Sequence, residues 1–246
     1  MNKTELIKDS PLRLLEKSIN GGLGRGNIGV FASRKGVGKT ACLVHIAIDK
    51  LFQDKPVIHV SFSSRVDHII KWYKDIFREI ANRQKLESST GMHDDIVKNR
   101  VIMNFSQAGT STPQILNSLE ALIRYGRFKA ETVIVDGFDF SCGTREDLRR
   151  FREFADKMNL EVWFSASLKK ERELFDEEGI PFELRDFLEG IQVLITLRYQ
   201  NKHVQLRLAK NHGRSQPEDL QLSLDPATLL IAEATGSSAV PENDQP

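Results

Sequence analysis

The chain has 246 residues, 40% hydrophobic and 28% charged, a mixture that excludes a disordered or fibrous chain and suits one α/β domain better than two small ones. Its 35 Lys+Arg against 34 Asp+Glu leave a net charge of +1, which neither requires nor excludes nucleic acid, because a basic strip can sit on a neutral chain. Apolar stretches stop well short of the roughly 20 residues of a spanning helix, and the opening MNKTELIKDSP is charged where a signal peptide is apolar, so a cytoplasmic protein with no membrane partner is expected.

Along the chain, NGGLGRGN (20–27) lacks the spacing of a dinucleotide fingerprint and precedes a strand instead of following one, so its glycines are read as shaping the entry to that strand. NIGVFA (27–32) is the first of five strand-length runs that are apolar almost throughout, as strands buried on both faces are; VIHVSF (57–62), VIMNF (101–105), TVIVD (132–136) and EVWFSA (161–166) are the others. Between them lie helical patterns. Residues 40–52 form an apolar helix, and Val66, Ile69, Ile70, Tyr73, Ile76, Phe77 and Ile80 form one stripe. Residues 115–123 and 148–158 repeat the pattern, whereas the polar LESSTGMHDD (86–95) reads as an exposed loop.

Strand alternating with helix implies right-handed crossovers and a mostly parallel central sheet flanked by helices. The rhythm changes after residue 190, where IQVLITLRY (191–199) and HVQLRLAK (203–210) predict a C-terminal antiparallel hairpin, followed by short strands LQLSL (220–224) and TLLIA (228–232). One domain over 1–232 and a disordered tail over 233–246 are expected. Cys42 and Cys142 are read as reduced thiols, and the six histidines show no metal-ligand spacing.

The stretch SRKGVGKTA (33–41) carries the chemistry. It follows a buried strand and opens an apolar helix, where phosphate binds. Ser33, Arg34, Lys35, Gly36, Val37, Gly38, Lys39, Thr40 and Ala41 are the candidate nucleotide-binding residues. Gly36 and Gly38 let backbone amides turn toward phosphate oxygens, Lys39 reaches the β and γ phosphates, and the Thr40 hydroxyl holds Mg²⁺. Asp136, at the end of TVIVD, completes the Mg²⁺ site by accepting a hydrogen bond from Thr40 or from metal-bound water. ATP and Mg²⁺ are the cofactors implied. The usual pattern wants Gly or Ala where this chain has Ser33, a side chain expected to crowd the loop.

Over about residues 10–232 the sequence resembles the RecA-type P-loop ATPases, in the branch of DnaB-type helicases and KaiC-like proteins. The resemblance rests on SPLRLLEKSINGGLGRGNIGVFASRKGVGKT, on VIHVSF as second strand, TVIVDGF as Walker B strand, EVWFSASLKK as sensor strand, and LRLAKNHGR as the arm carrying intersubunit fingers. It implies a homo-oligomer, ring or dimer, with single-stranded DNA as a candidate partner through SLKKERELFDEEG (167–179). The same resemblance shows departures. The family's catalytic Glu after the second strand is matched by Ser63 or Ser64, its polar sensor by Ser167, and its Lys-x-Arg finger by Lys210 and His212, with Arg214 displaced. Asp67 and Asp139 are the candidate substitute acids, and Lys210 and Arg214 the candidate fingers.

A positioned base is worth about 10² to 10⁴ in rate and an arginine finger about 10³ to 10⁵. The sequence therefore points to an ATP-binding scaffold or regulator with weak or absent hydrolysis. An active helicase or recombinase motor and an adaptor that binds no nucleotide are the alternatives.

Overall fold

The computed structural model of the chain describes residues 3–63, 65–85, 89–169, 174–200, 203–214 and 217–234. Ser64, most of the charged run after Lys169, the hairpin tip at 201–202 and the predicted tail beyond 234 lie outside the described residues.

Two short helices open the chain, α1 (Lys3–Lys8) and α2 (Leu12–Ser18), each burying leucines: Leu6 in the first, Leu12 and Leu15 in the second. The sheet strands among the described residues are β1 (Ile28–Arg34), β2 (Val57–Ser61), β3 (Arg100–Asn104), β4 (Thr132–Asp136), β5 (Glu161–Leu168), β6 (Val193–Gln200), β7 (His203–Asn211), β8 (Glu218–Leu224) and β9 (Ile231–Glu233). They lie in the order β3-β2-β4-β5-β1-β6-β7-β8-β9. From β3 to β6 every neighbouring pair is parallel, and from β6 to β9 every pair is antiparallel. The mostly parallel sheet with an antiparallel C-terminal extension is thus observed. Among the described residues no helix is long and apolar enough to cross a membrane.

Alternate residues of the central strands feed two cores, as the period of two requires. Val133 and Val135 of β4 face one core and Ile134 faces the other; Val162, Phe164 and Trp163 of β5 divide in the same way. One core is covered by α1, α2, α3 (Lys39–Phe52), α4 (Val66–Arg83) and Ile96 of α5 (Ser89–Lys98). The other is covered by α6 (Thr112–Arg124), α7 (Arg145–Met158) and a 3-10 helix at Phe182–Gly190. There Phe138, Phe140, Phe151, Phe164 and Phe187 meet edge to face, Phe151 and Phe164 with ring centroids 5.0 Å apart at 88°, and anchor the loop that leaves β4.

Two expectations are corrected. The segment read as an exposed loop over 86–95 is helical from Ser89, because Met92 and Ile96, one turn apart, both pack on the core. The last strand runs over Ile231–Glu233 instead of 228–232, because a turn closed by Asp225 N–H to Leu230 O, with Leu229 at φ +59°, occupies the earlier residues.

Gly29 of β1 sits directly opposite Trp163 of β5, and a Cβ built there would stand 2.4 Å from the indole. Gly29→Val is expected to cost about 1–3 kcal/mol through overpacking, read as a lower urea midpoint with an unchanged slope.

Candidate nucleotide site

Gly36 and Gly38 adopt φ of +82° and +121°, backbone that other residues rarely take, and this turns the chain from β1 into α3. Helix α3 starts at Lys39, so the amides of its first turn have no intrahelical acceptor and face the loop's concavity with the positive end of the helix dipole. Arg34, Lys35 and Gly36 are exposed on the outside of the loop, while Val37, Gly38 and Thr40 are half-buried and Ala41 is fully buried.

Lys39 is 6% exposed, and its ammonium donates to Ser33 O (3.1 Å), Ser33 Oγ (3.2 Å) and Arg34 O (2.9 Å). Three donors thus meet three acceptors. Ser33 does not crowd the loop: it is fully buried as part of β1, and its hydroxyl, which donates to Arg34 O at 3.0 Å, serves the lysine as an acceptor. Burial pushes the Lys39 pKa down to about 8, with the Asp136 carboxylate pulling the other way.

Asp136 ends β4 with 9% exposure. The Thr40 hydroxyl donates to its Oδ2 at 2.9 Å, and the Ser165 hydroxyl donates to its Oδ1 at 2.7 Å while accepting from Gly137 N–H at 2.8 Å. A carboxylate this buried needs such partners. Hydroxyl and carboxylate oxygens at this spacing form the hard donor set that suits Mg²⁺. Ser165 was not among the sequence candidates; the signal for it was a second serine, two residues before Ser167, in an otherwise apolar strand. Ser167 itself is exposed beside the end of β1, paired in register with Ser33.

The candidate acids stand apart from this network. The Asp67 side chain is 81% exposed, with Arg65 at 3.7 Å. Asp139 accepts from Lys169 Nζ at 2.7 Å and from the Ser141 hydroxyl at 2.6 Å. Partial burial raises the Asp139 pKa, but these bonds outweigh it and hold the group at about 2. A general base works best with a pKa near the working pH, so Asp139 is a poor proton acceptor. After β2, the Ser63 hydroxyl bonds both the N–H and the C=O of Arg65 and contributes no acid.

The finger candidates separate. Lys210, expected to face a neighbouring subunit, instead donates within its own chain to Leu188 O (2.5 Å) and Ile191 O (2.6 Å), carbonyls at the end of the 3-10 helix that have no partner in the helix. Arg214 is exposed in the turn after β7.

The C-terminal extension supports the loop from behind. A Cβ at Gly38 would lie 2.1 Å from Leu224 Cδ2 of β8, and Ile231 N–H donates to His45 Nδ1 of α3 at 3.1 Å.

No protein-family model and no curated protein matches the sequence. Among solved structures, the ATPase domain of a DnaB-like helicase matches with a TM-score of 0.64 at 18% identity, covering 89% of this chain and 88% of that one.

Because the folded pKa of Lys39 lies below its ordinary 10.5, the unfolded chain holds this proton between about 8 and 10.5 while the folded chain has released it. That contribution to stability therefore rises with pH through the window and is lost as pH falls through about 8. Urea denaturation of Lys39→Met against the parent is expected to show a flatter rise over that range. Gly38→Ala, which meets Leu224 and a strained φ together, is expected to lower the midpoint, and Leu224→Ala to cost about 2–5 kcal/mol.

By its sheet order, its phosphate-type loop and this structural match, the chain has the RecA-type, DnaB-like P-loop ATPase fold.

Proposed function

We propose that the protein binds ATP with Mg²⁺ at Lys39, Thr40 and Asp136, hydrolyses it weakly or not at all, and acts as a nucleotide-dependent scaffold or regulator. The observation that carries the reading is the Thr40–Asp136 hydrogen bond beside a buried Lys39, in a site with serine, not an acid, at Ser63. Amides of the first turn of α3 would take phosphate oxygens, and Lys39 would leave its loop carbonyls for the β and γ phosphates. Thr40 would ligate Mg²⁺ directly, with Asp136 holding the Thr40 hydroxyl or a metal-bound water, and Ser165 would fix the carboxylate rotamer. Mg²⁺ supplies charge neutralisation along the phosphate chain.

Weak turnover follows from what surrounds the γ-phosphate position. Asp67 is solvated, Asp139 is locked to Lys169, and Lys210 is bound inside its own chain. Occupancy, not turnover, would then be the signal, favouring whichever conformation or oligomer binds nucleotide better.

Calorimetry with MgATP is expected to give saturable binding that Lys39→Ala weakens about 10- to 100-fold, the worth of a charge-assisted hydrogen bond of about 1.5–3 kcal/mol. Turnover is expected below about 1 s⁻¹, a low enzyme rate, with or without single-stranded DNA. No heat from folded protein would overturn nucleotide binding. Faster turnover would replace the scaffold with a motor, and its loss in Asp67→Ala or Asp139→Ala would name the acid.

A further inference from the structure

Helix α3 carries a second set of polar groups, at the end away from the phosphate loop. His45 and Asp49 lie one turn apart on it and are 4% and 3% exposed. Both line a cavity of about 350 Å³ enclosed by α1, α3, α4 and β9, with apolar walls from Leu6, Phe52, Ile80 and Leu230. Small-molecule sites span roughly 300–1,000 Å³, mostly apolar with a few convergent polar groups.

The chemistry of the polar pair is fixed by the fold. His45 Nδ1 accepts the Ile231 N–H, so it carries no proton, and burial pushes the ring's pKa down to about 4, so the ring is neutral. Its proton is therefore on Nε2, a donor with no hydrogen-bond partner among the described residues. Asp49 accepts from Arg13 and from Gln53 Nε2 (2.7 Å), both at Oδ2; Oδ1 has no partner among the described residues. Arg13 neutralises the carboxylate, so Oδ1 offers an acceptor more than a charge. Arg83, exposed at the rim, forms no ion pair among the described residues.

A donor and an acceptor side by side on one helix face fit a molecule with a C=O next to an N–H. Apolar walls fit a flat ring, and the rim guanidinium fits an anion. We propose that this cavity is a binding site, separate from the phosphate loop, for a small heterocyclic lactam with an anionic substituent, the chemistry of a nucleoside monophosphate. His45 Nε2–H donates to the ring carbonyl, Asp49 Oδ1 accepts the ring N–H, and Arg83 meets the phosphate.

Guanosine and uridine monophosphates, with the matching nucleosides, serve as probes for calorimetry on the full chain. At least one monophosphate is expected to bind saturably. Ile80→Trp, which fills the cavity, is expected to abolish binding, and Arg83→Ala, at an exposed position, to weaken it about tenfold for the monophosphate and little for the nucleoside. Lys39→Ala is expected to leave it unchanged, so this test is independent of the fate of ATP binding. Absence of saturable binding by every probe to folded protein overturns the proposal, as does binding lost in Lys39→Ala but kept in Ile80→Trp. A cavity that takes no probe while Ile80→Trp abolishes self-association assigns it to a second copy of the chain, and likewise overturns it.

Discussion

The Thr40 hydroxyl reaching Asp136 ties the first turn of α3 to the end of β4, and most of the site's geometry follows from that contact. Burying the Asp136 carboxylate is tolerable because two hydroxyls point at it, from α3 and from β5. Three elements distant in sequence are thereby held at one point. The Phe62 N–H also donates to Asp136 O at 3.1 Å, so the chain leaving β2 is drawn to the same place. Lys39 sits close enough to feel the charge of Asp136, which partly offsets what burial does to its ammonium.

The arrangement separates holding from reacting. Groups that would hold a triphosphate are buried, paired and rigidly placed. Acidic groups that would drive hydrolysis are solvated, as at Asp67, or neutralised by a cation, as at Asp139. Since the protonation states of these groups are set by local contacts, the contrast is built into the fold and does not depend on an unusual solution condition.

Much of the fold was legible because strands covered on both faces are apolar nearly throughout, and TVIVD and EVWFSA announce themselves that way. The loop at 33–41 was legible because its glycines and lysine stand between a strand and a helix. Helix α5 was not, since only Met92 and Ile96 mark its buried side, and a window closing at Asp95 misses the second. The leucines of α1 and α2 are too few for a visible period. Ser165 was hidden because one serine in an apolar run reads as packing, and its role depends on which residue of β4 lies beside it. His45 and Asp49 were hidden for a related reason: their partners, Ile231 and Arg13, are far away in the sequence.

Leu224 occupies the space beside Gly38 that any other residue's Cβ would need, yet most of the chain lies between the two. During synthesis the segment bearing the glycine turn emerges early and the strand bearing Leu224 much later. A nascent chain therefore carries that turn through most of the sheet's translation with nothing behind it. Translation must pass Leu224 before the turn acquires its backing, so one of the first-made parts of the polypeptide matures among the latest.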